Sequence, residues 1–171
     1  MKITWFSGTT LRIQIGGRIL VVDPVPIDGV AADELVSGAD VVFHLDDAGE
    51  AIDPALWQPR RVASMLDATD LPEVVVHGVA GGALIAAMGE APLLLLRAPM
   101  SAGGRWTREA IVVVLGEDVP AVATAVLERM APRIIAIGAG EQMADEVFVA
   151  LASKLDGTGL VALEPGLAVE V

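Results

Sequence analysis

The sequence predicts an α/β protein in which helices cover two mixed β-sheets. Strand-period alternation dominates the first two-thirds of the chain, and helix-period stretches alternate with short apolar strands near its end. Composition agrees: of 171 residues, 54% are hydrophobic and only 20% charged, enough for a sizeable core. Aromatic residues are only 4%, so Val, Leu, Ile and Ala must supply most of the packing.

Ile3 and Trp5, then Leu11, Ile13 and Ile15, alternate with polar neighbours at the strand period of two. Gly16-Gly17 separates Leu11–Ile15 from Arg18–Val22 and reads as a hairpin turn, because glycine accepts the positive φ such turns require. Asp23-Pro24 ends the second of these strands, since proline cannot extend a ladder. Val30 to Ser37 reads as a short helix stopped by Gly38. Val41-Val42-Phe43 is a continuous apolar run, expected as a strand buried on both faces.

Asp53-Pro54 fits a helix start, with Asp as cap and Pro in the first turn. Arg61–Met65, Val74–His77, Ala83–Ala87 and Leu93–Arg97 follow as short strands between turn residues. Ser101-Ala-Gly-Gly104 is a loop, and Arg108–Leu115 another strand. Val119 to Met130 repeats apolar residues at helical spacing, with Pro120 where a helix tolerates it. Arg133–Ile137 is an expected buried strand. Glu141 to Leu155 is a second helix, with Met143, Val147, Phe148 and Leu151 inward and Lys154 favourably placed near its C-terminus. Leu160–Leu163 and Leu167–Val171 complete the strands. No repeat or linker interrupts the chain, so residues 1–171 are expected to form one domain.

Formal net charge is −12 and uneven. The 22 residues before Asp23 carry three basic groups and no acid, whereas 23–73 carry twelve acids against Arg60 and Arg61. So acidic a surface repels phosphate backbones and argues against nucleic acid or an anionic membrane as partner. The chain has no cysteine, which excludes disulfides, thiolate metal sites and a cysteine nucleophile. No basic-then-apolar leader opens it. The weakly charged run from Val74 to Leu96 is broken by His77, Glu90, Pro92 and several glycines, unlike a span of ~20 apolar residues. A cytoplasmic protein is the expectation.

One stretch organises the rest: Ala39-Asp-Val-Val-Phe-His-Leu-Asp-Asp-Ala-Gly-Glu50, an apolar strand running out into a histidine followed by carboxylates. Ahead of it stand Ile3–Phe6, Ser7-Gly8-Thr9-Thr10, Leu11–Ile15, Gly16-Gly17, Ile19–Val22 and Asp23-Pro24. Together these resemble the opening of the metallo-β-lactamase-fold hydrolases, in the branch that includes ascorbate-6-phosphate lactonase. That opening is a strand, Gly-His, a second strand, Gly-Gly, a third strand and Asp-Pro, then Ala-Asp, an apolar strand and H-x-H-x-D-H. Ala110–Leu115 with Gly116-Glu117-Asp118 is similar to the family's strand and Gly-Asp ligand turn. Ile134–Gly138 with the helix that follows is similar to its late strand, turn and helix. The resemblance implies a truncated αββα sandwich, with mixed sheets flanked by helices.

It also marks departures. Thr9 stands in place of the first histidine; at the signature only His44 keeps its identity, while Asp46, Ala48 and Gly49 replace a histidine, the aspartate and the last histidine. A hydrolytic zinc site needs three or more imidazole or carboxylate ligands converging on one ion, with a position open for water. The two histidines of this chain, His44 and His77, do not suffice. A carboxylate-rich replacement from His44, Asp46, Asp47 and Glu117 would favour a hard ion such as manganese or magnesium over zinc, with His44 and Asp47 as candidate catalytic groups. Alternatively these are solvated loop carboxylates, and no cofactor or metal is expected.

Other residues carry weaker signals. His77 ends an apolar strand and would either converge with His44 at the sheet rim or serve as a hydrogen-bonded structural residue. Arg97, Ser101 and Arg105, beside Trp106, Thr107 and Arg108, would hold an anionic small molecule through a planar guanidinium fork. Alternatively Trp106 seals the core and the arginines balance local acids. Gly138-Ala-Gly140 before a helix resembles half of a dinucleotide-binding turn, but Glu141 and Asp145 put negative charge there, and a tight turn is the simpler reading. Ser7, Thr9 and Thr10 show no histidine–carboxylate relay at known spacing. The expected function is a catalytically degenerate binding or assembly module, with a second copy of the chain as the possible partner. The rival is a metal-dependent hydrolase of a small lactone or phosphorylated substrate.

Overall fold

The computed structural model describes residues 1–27, 29–60, 73–101 and 103–171. Two mixed sheets of five and six strands and three α-helices make up the regular structure of these residues. The expected strand at Arg61–Met65 lies outside the described residues.

The five-stranded sheet is built from β1 (Lys2–Ser7), β2 (Thr10–Ile15), β3 (Arg18–Val22), β4 (Val41–Phe43) and β11 (Ala168–Glu170), in the order β11-β1-β2-β3-β4. Its β2–β3 hairpin closes on Gly16 and Gly17 at φ 56° and 75°, the left-handed pair that a two-residue turn demands. β3 and β4 run parallel, joined by α1 (Ala32–Val36), whose C-terminal carbonyls at Leu35 and Ser37 accept from the Arg12 guanidinium. The expected helix over residues 30–37 therefore shortens to five residues.

The six-stranded sheet takes β5 (Val74–Val79), β6 (Gly82–Ala87), β7 (Leu93–Leu96), β8 (Ile111–Val114), β9 (Ile134–Ile137) and β10 (Gly159–Ala162), in the order β10-β9-β8-β7-β6-β5. From β7 to β10 all pairs are parallel, with α2 (Val119–Met130) and α3 (Glu141–Leu151) as crossovers. Strands β7 and β8 are buried throughout, as strands covered on both faces must be.

Side-chain alternation divides these strands between two cores. Ile3, Trp5, Leu11, Ile13 and Leu20 of one sheet meet Ile85, Leu93, Leu95, Ile111 and Val113 of the other, so the two sheets stack face to face. The opposite-facing Leu84, Leu94, Leu96, Val112, Ile135 and Ile137 meet Val122, Val126, Val147 and Leu151 of α2 and α3. Trp106 completes this second core, its indole N–H donating to the Pro54 carbonyl at 3.0 Å.

Several local expectations give way to tertiary context. β4 is an edge strand with Val42 47% exposed, not a strand buried on both faces, because only β3 pairs with it among the described residues. Asp53 caps one turn and no more: its carboxylate accepts from the Ala55 amide at 2.9 Å, and its carbonyl from Leu56 and Trp57. Arg105–Glu109 forms a 3-10 turn, so β8 begins at Ile111 rather than Arg108. The last helix ends at Leu151, and Ala144 takes an inward place while Phe148 turns outward. No helix among the described residues is long and apolar enough to cross a membrane.

Candidate functional site

Strands β3, β4, β7 and β8 bring their C-terminal ends to one rim. β3 runs into Asp23, β4 into His44, β7 into Arg97 and β8 into Gly116-Glu117. Asp23 is the pivot. It holds a left-handed backbone at φ 42°, which an aspartate tolerates better than most side chains. Thr10, fully buried, donates its hydroxyl to the Asp23 carbonyl at 2.7 Å, and the Asp23 amide donates to Phe43 at 3.0 Å. Its carboxylate oxygen Oδ1 lies 3.0 Å from His44 Nδ1 and accepts from the Leu45 amide at 3.2 Å. The carboxylate beside Nδ1 orients the ring of a side chain that is 64% exposed.

Arg97 reaches across the rim to Asp46, which follows His44 by two residues. The guanidinium spans both carboxylate oxygens, the Nη1–Oδ2 arm at 3.3 Å and the other arm shorter. Hydrogen bonding from Arg97, and then its charge, hold the Asp46 carboxyl below its ordinary value of 3.8. The same bond, together with the Asp46 and Asp23 charges, raises the Arg97 pKa further. The rim is thus closed by two internal pairs, Asp23–His44 and Arg97–Asp46.

These residues do not fit a divalent-metal site. Asp46 is occupied by a guanidinium, Asp47 is exposed in the 3-10 turn Leu45–Asp47, and Glu117 is exposed after β8. The carboxylate that meets His44 is Asp23, not Asp47. Among the described residues no three His, Asp or Glu side chains gather closely enough to hold an ion. The two remaining signature positions are built out. Ala48 is buried in the core between the sheets. Gly49 has φ +77°, and a Cβ there would sit 2.7 Å from the Val76 carbonyl oxygen, inside van der Waals contact. A histidine cannot occupy that place without moving β5.

The other predicted residues are scattered. Arg97 belongs to the rim; Arg105 borders an open groove with Trp57, Gln58 and Trp106; Ser101 is exposed in the loop between β7 and β8. Gly138 is a packing residue, since a Cβ there would press on Leu115 and the Trp5 indole. Thr10 is engaged by the Asp23 carbonyl and is not turned to the imidazole. His77 does not join His44: it lines a separate cavity with Trp57, Val75 and Ala86.

Sequence reasoning passed over Asp23, whose visible signal was only the Asp-Pro that ends a strand. It also treated Arg97 and Asp46 as members of different sites, because nothing local links two residues 51 apart. Comparison with protein-family models, with curated proteins and with solved structures finds no match for this chain.

Proposed function

We propose that this chain is a metal-free, catalytically degenerate protein of the metallo-β-lactamase-like αββα type, acting as a binding or assembly module. The kinship rests on analogy of motif order and layering: the Gly16-Gly17 hairpin, Asp23-Pro24, the His44 turn and the late strand–turn–helix recur in sequence, and α2 and α3 cover the outer face of one of two stacked sheets. One observation carries the loss of metal chemistry. The Arg97 guanidinium lies on Asp46, so a cation belonging to the chain neutralises the carboxylate at a ligand position of the resembled signature. The buried Ala48 and the walled Gly49 support the same reading.

A second copy of the chain is the proposed partner. Phe148 and Val149 stand exposed side by side on α3, Val149 at 83%. The hydrolase reading is favoured by one feature alone, the exposed His44 oriented by Asp23.

Elemental analysis of the purified protein, with thermal shifts in zinc, manganese and magnesium, separates the two readings. The module reading expects no stoichiometric metal and no shift. Bound metal, lost together with a hydrolytic activity in His44→Ala, would establish the hydrolase instead. Sedimentation that finds only monomer at working concentration would remove the second copy.

A further inference from the structure

β10 forms one edge of the six-stranded sheet, opposite the β5 edge where Arg60 and Glu73 pair. Its ladder with β9 decides which backbone groups are already used. Gly159 N–H donates to the Arg133 carbonyl and Leu163 N–H to the Ile137 carbonyl, both at 2.8 Å, so in this parallel pair the odd-numbered residues face β9. Leu160 and Ala162 therefore turn their amides and carbonyls outward, and among the described residues no hydrogen bond reaches them. Natural sheet edges are commonly blunted by charge, proline or a bulge, and Gly-Leu-Val-Ala carries none of these. By contrast β11 has three residues and ends on Glu170, and β4 has three and runs straight toward the turn at Leu45–Asp47.

α3 adds an apolar flank beside this edge. Ala144, Val147 and Leu151 are its buried face, and α2 packs along one side of it. Right-handed crossovers carry each successive helix one step further toward β10, so the flank of α3 away from α2 overhangs that edge. A helix turns about 100° per residue, and the step from Val147 to Phe148 turns toward this flank. Phe148 is exposed there, and Leu160 on the edge strand is only partly covered by the core. The charges at the two ends of β10 are complementary. Lys154, the one basic residue after Arg133, precedes the strand and is held only loosely by Glu128 at 3.9 Å; Glu164 follows the strand.

We propose that two copies of this chain join β10 to β10, antiparallel about a twofold axis at Val161, to make one continuous sheet. The inference rests on the second copy proposed above as partner, and names the surface it uses. Leu160 exchanges both of its outward bonds with Ala162 of the partner subunit, and Ala162 does the same with Leu160 of the partner subunit. The antiparallel sense brings the Lys154 end of one strand to the Glu164 end of the other. An axis at Leu160 would also match donors to acceptors, but it sets Asp156 opposite Glu164 of the partner subunit, whereas the axis at Val161 sets Thr158 there. Size fixes the strength of the association. The eleven residues of α3 make this side about 16 Å tall, and a helix layer over two sheets makes it about 30 Å deep. The footprint is then roughly 500 Å² per copy and about 1,000 Å² in all, the scale of a weak, reversible dimer.

Sedimentation of the full chain from about 1 μM to about 500 μM, with amide hydrogen exchange at both ends of that range, tests the pairing. A monomer–dimer equilibrium is expected, and exchange at Leu160 and Ala162 should slow as the dimer fills while exchange on the β4 edge stays constant. Ala162→Pro removes two of the four bonds between copies. The Ala162 nitrogen has no partner within the chain, so the monomer keeps its fold while association weakens at least about tenfold. A dimer that Ala162→Pro leaves intact, or in which Leu160 and Ala162 exchange as they do in the monomer, would overturn the β10 surface and leave the second copy standing. Monomer at every concentration would remove both, and leave the edge to a strand of another protein. The exchange comparison uses the unmodified chain and does not depend on any variant folding.

Discussion

Replacing Gly49 with alanine tests how thoroughly the resembled ligand position has been closed. Two separate costs arise. A non-glycine residue at φ +77° pays about 1–2 kcal/mol for the left-handed backbone. The new Cβ would also stand 2.7 Å from the Val76 carbonyl oxygen, which is backbone in a paired strand and cannot swing aside. Relief requires the 49–52 segment to lift from β5. That strains the bonds from Gly78 N to Glu50 O and from Ile52 N to Gly78 O, both 2.9 Å. At about 0.5–1.5 kcal/mol each, the total comes to about 2–5 kcal/mol, or a Tm loss of roughly 5–15 °C for a chain of this size. Gly89→Ala is the internal control: its φ is +83° but nothing lies within 4 Å of its Cβ, so it pays the backbone cost alone. Urea and thermal unfolding of both variants measure the difference. Equal destabilisation of the two would refute the claim that Val76 walls off position 49, and with it the argument that a histidine has no room there.

Other consequences follow from the same geometry. Asp46 has a depressed folded-state pKa, so its pairing with Arg97 contributes stability above the ordinary carboxylate value and loses it as pH falls through the lowered one. A carboxyl NMR titration should place the Asp46 midpoint below 3.8, and Arg97→Ala should bring it back up. Asp23→Ala removes the acceptor for His44 and Leu45 and puts alanine at φ 42°, so a loss of about 2–4 kcal/mol is expected in urea unfolding. Asp23→Asn, which keeps an acceptor and tolerates the backbone, should lose clearly less. On α3, Val147→Ala should cost about 1–3 kcal/mol as a buried truncation, whereas Phe148→Ser should cost well under that. The reverse order in chemical denaturation at concentrations where sedimentation finds only monomer would mean the helix is rotated from the face described.

Much of the strand framework was readable because its causes are local. Alternation at Ile3–Trp5 and Leu11–Ile15, the Gly16-Gly17 turn and the helical spacing of Val119–Met130 each arise from steric rules acting over a few residues. Where one local signal met a competing one, the reading slipped. Apolar Val42 looked buried, yet β4 is an edge strand. Phe148 looked inward, yet Ala144 and Val147 form the face that α3 turns to the sheet. The candidate site was legible only in its parts: His44 and Asp46 stood out, but the groups that complete them did not.

By itself, then, the sequence determined the alternation of strands and helices, the turns that need positive φ, the acidic surface and the scarcity of imidazole. Tertiary structure alone decided that Asp23 would hold His44 across 21 residues and Arg97 would hold Asp46 across 51. It also decided that Val76 would stand against Gly49 and that His77 would face a cavity. The physical reason is range: dihedral preference and periodicity act between near neighbours in the chain. Which charges meet, and which carbonyl blocks which side chain, depends on sheet register and on the face each sheet presents to the other, and these exist only once the chain has folded.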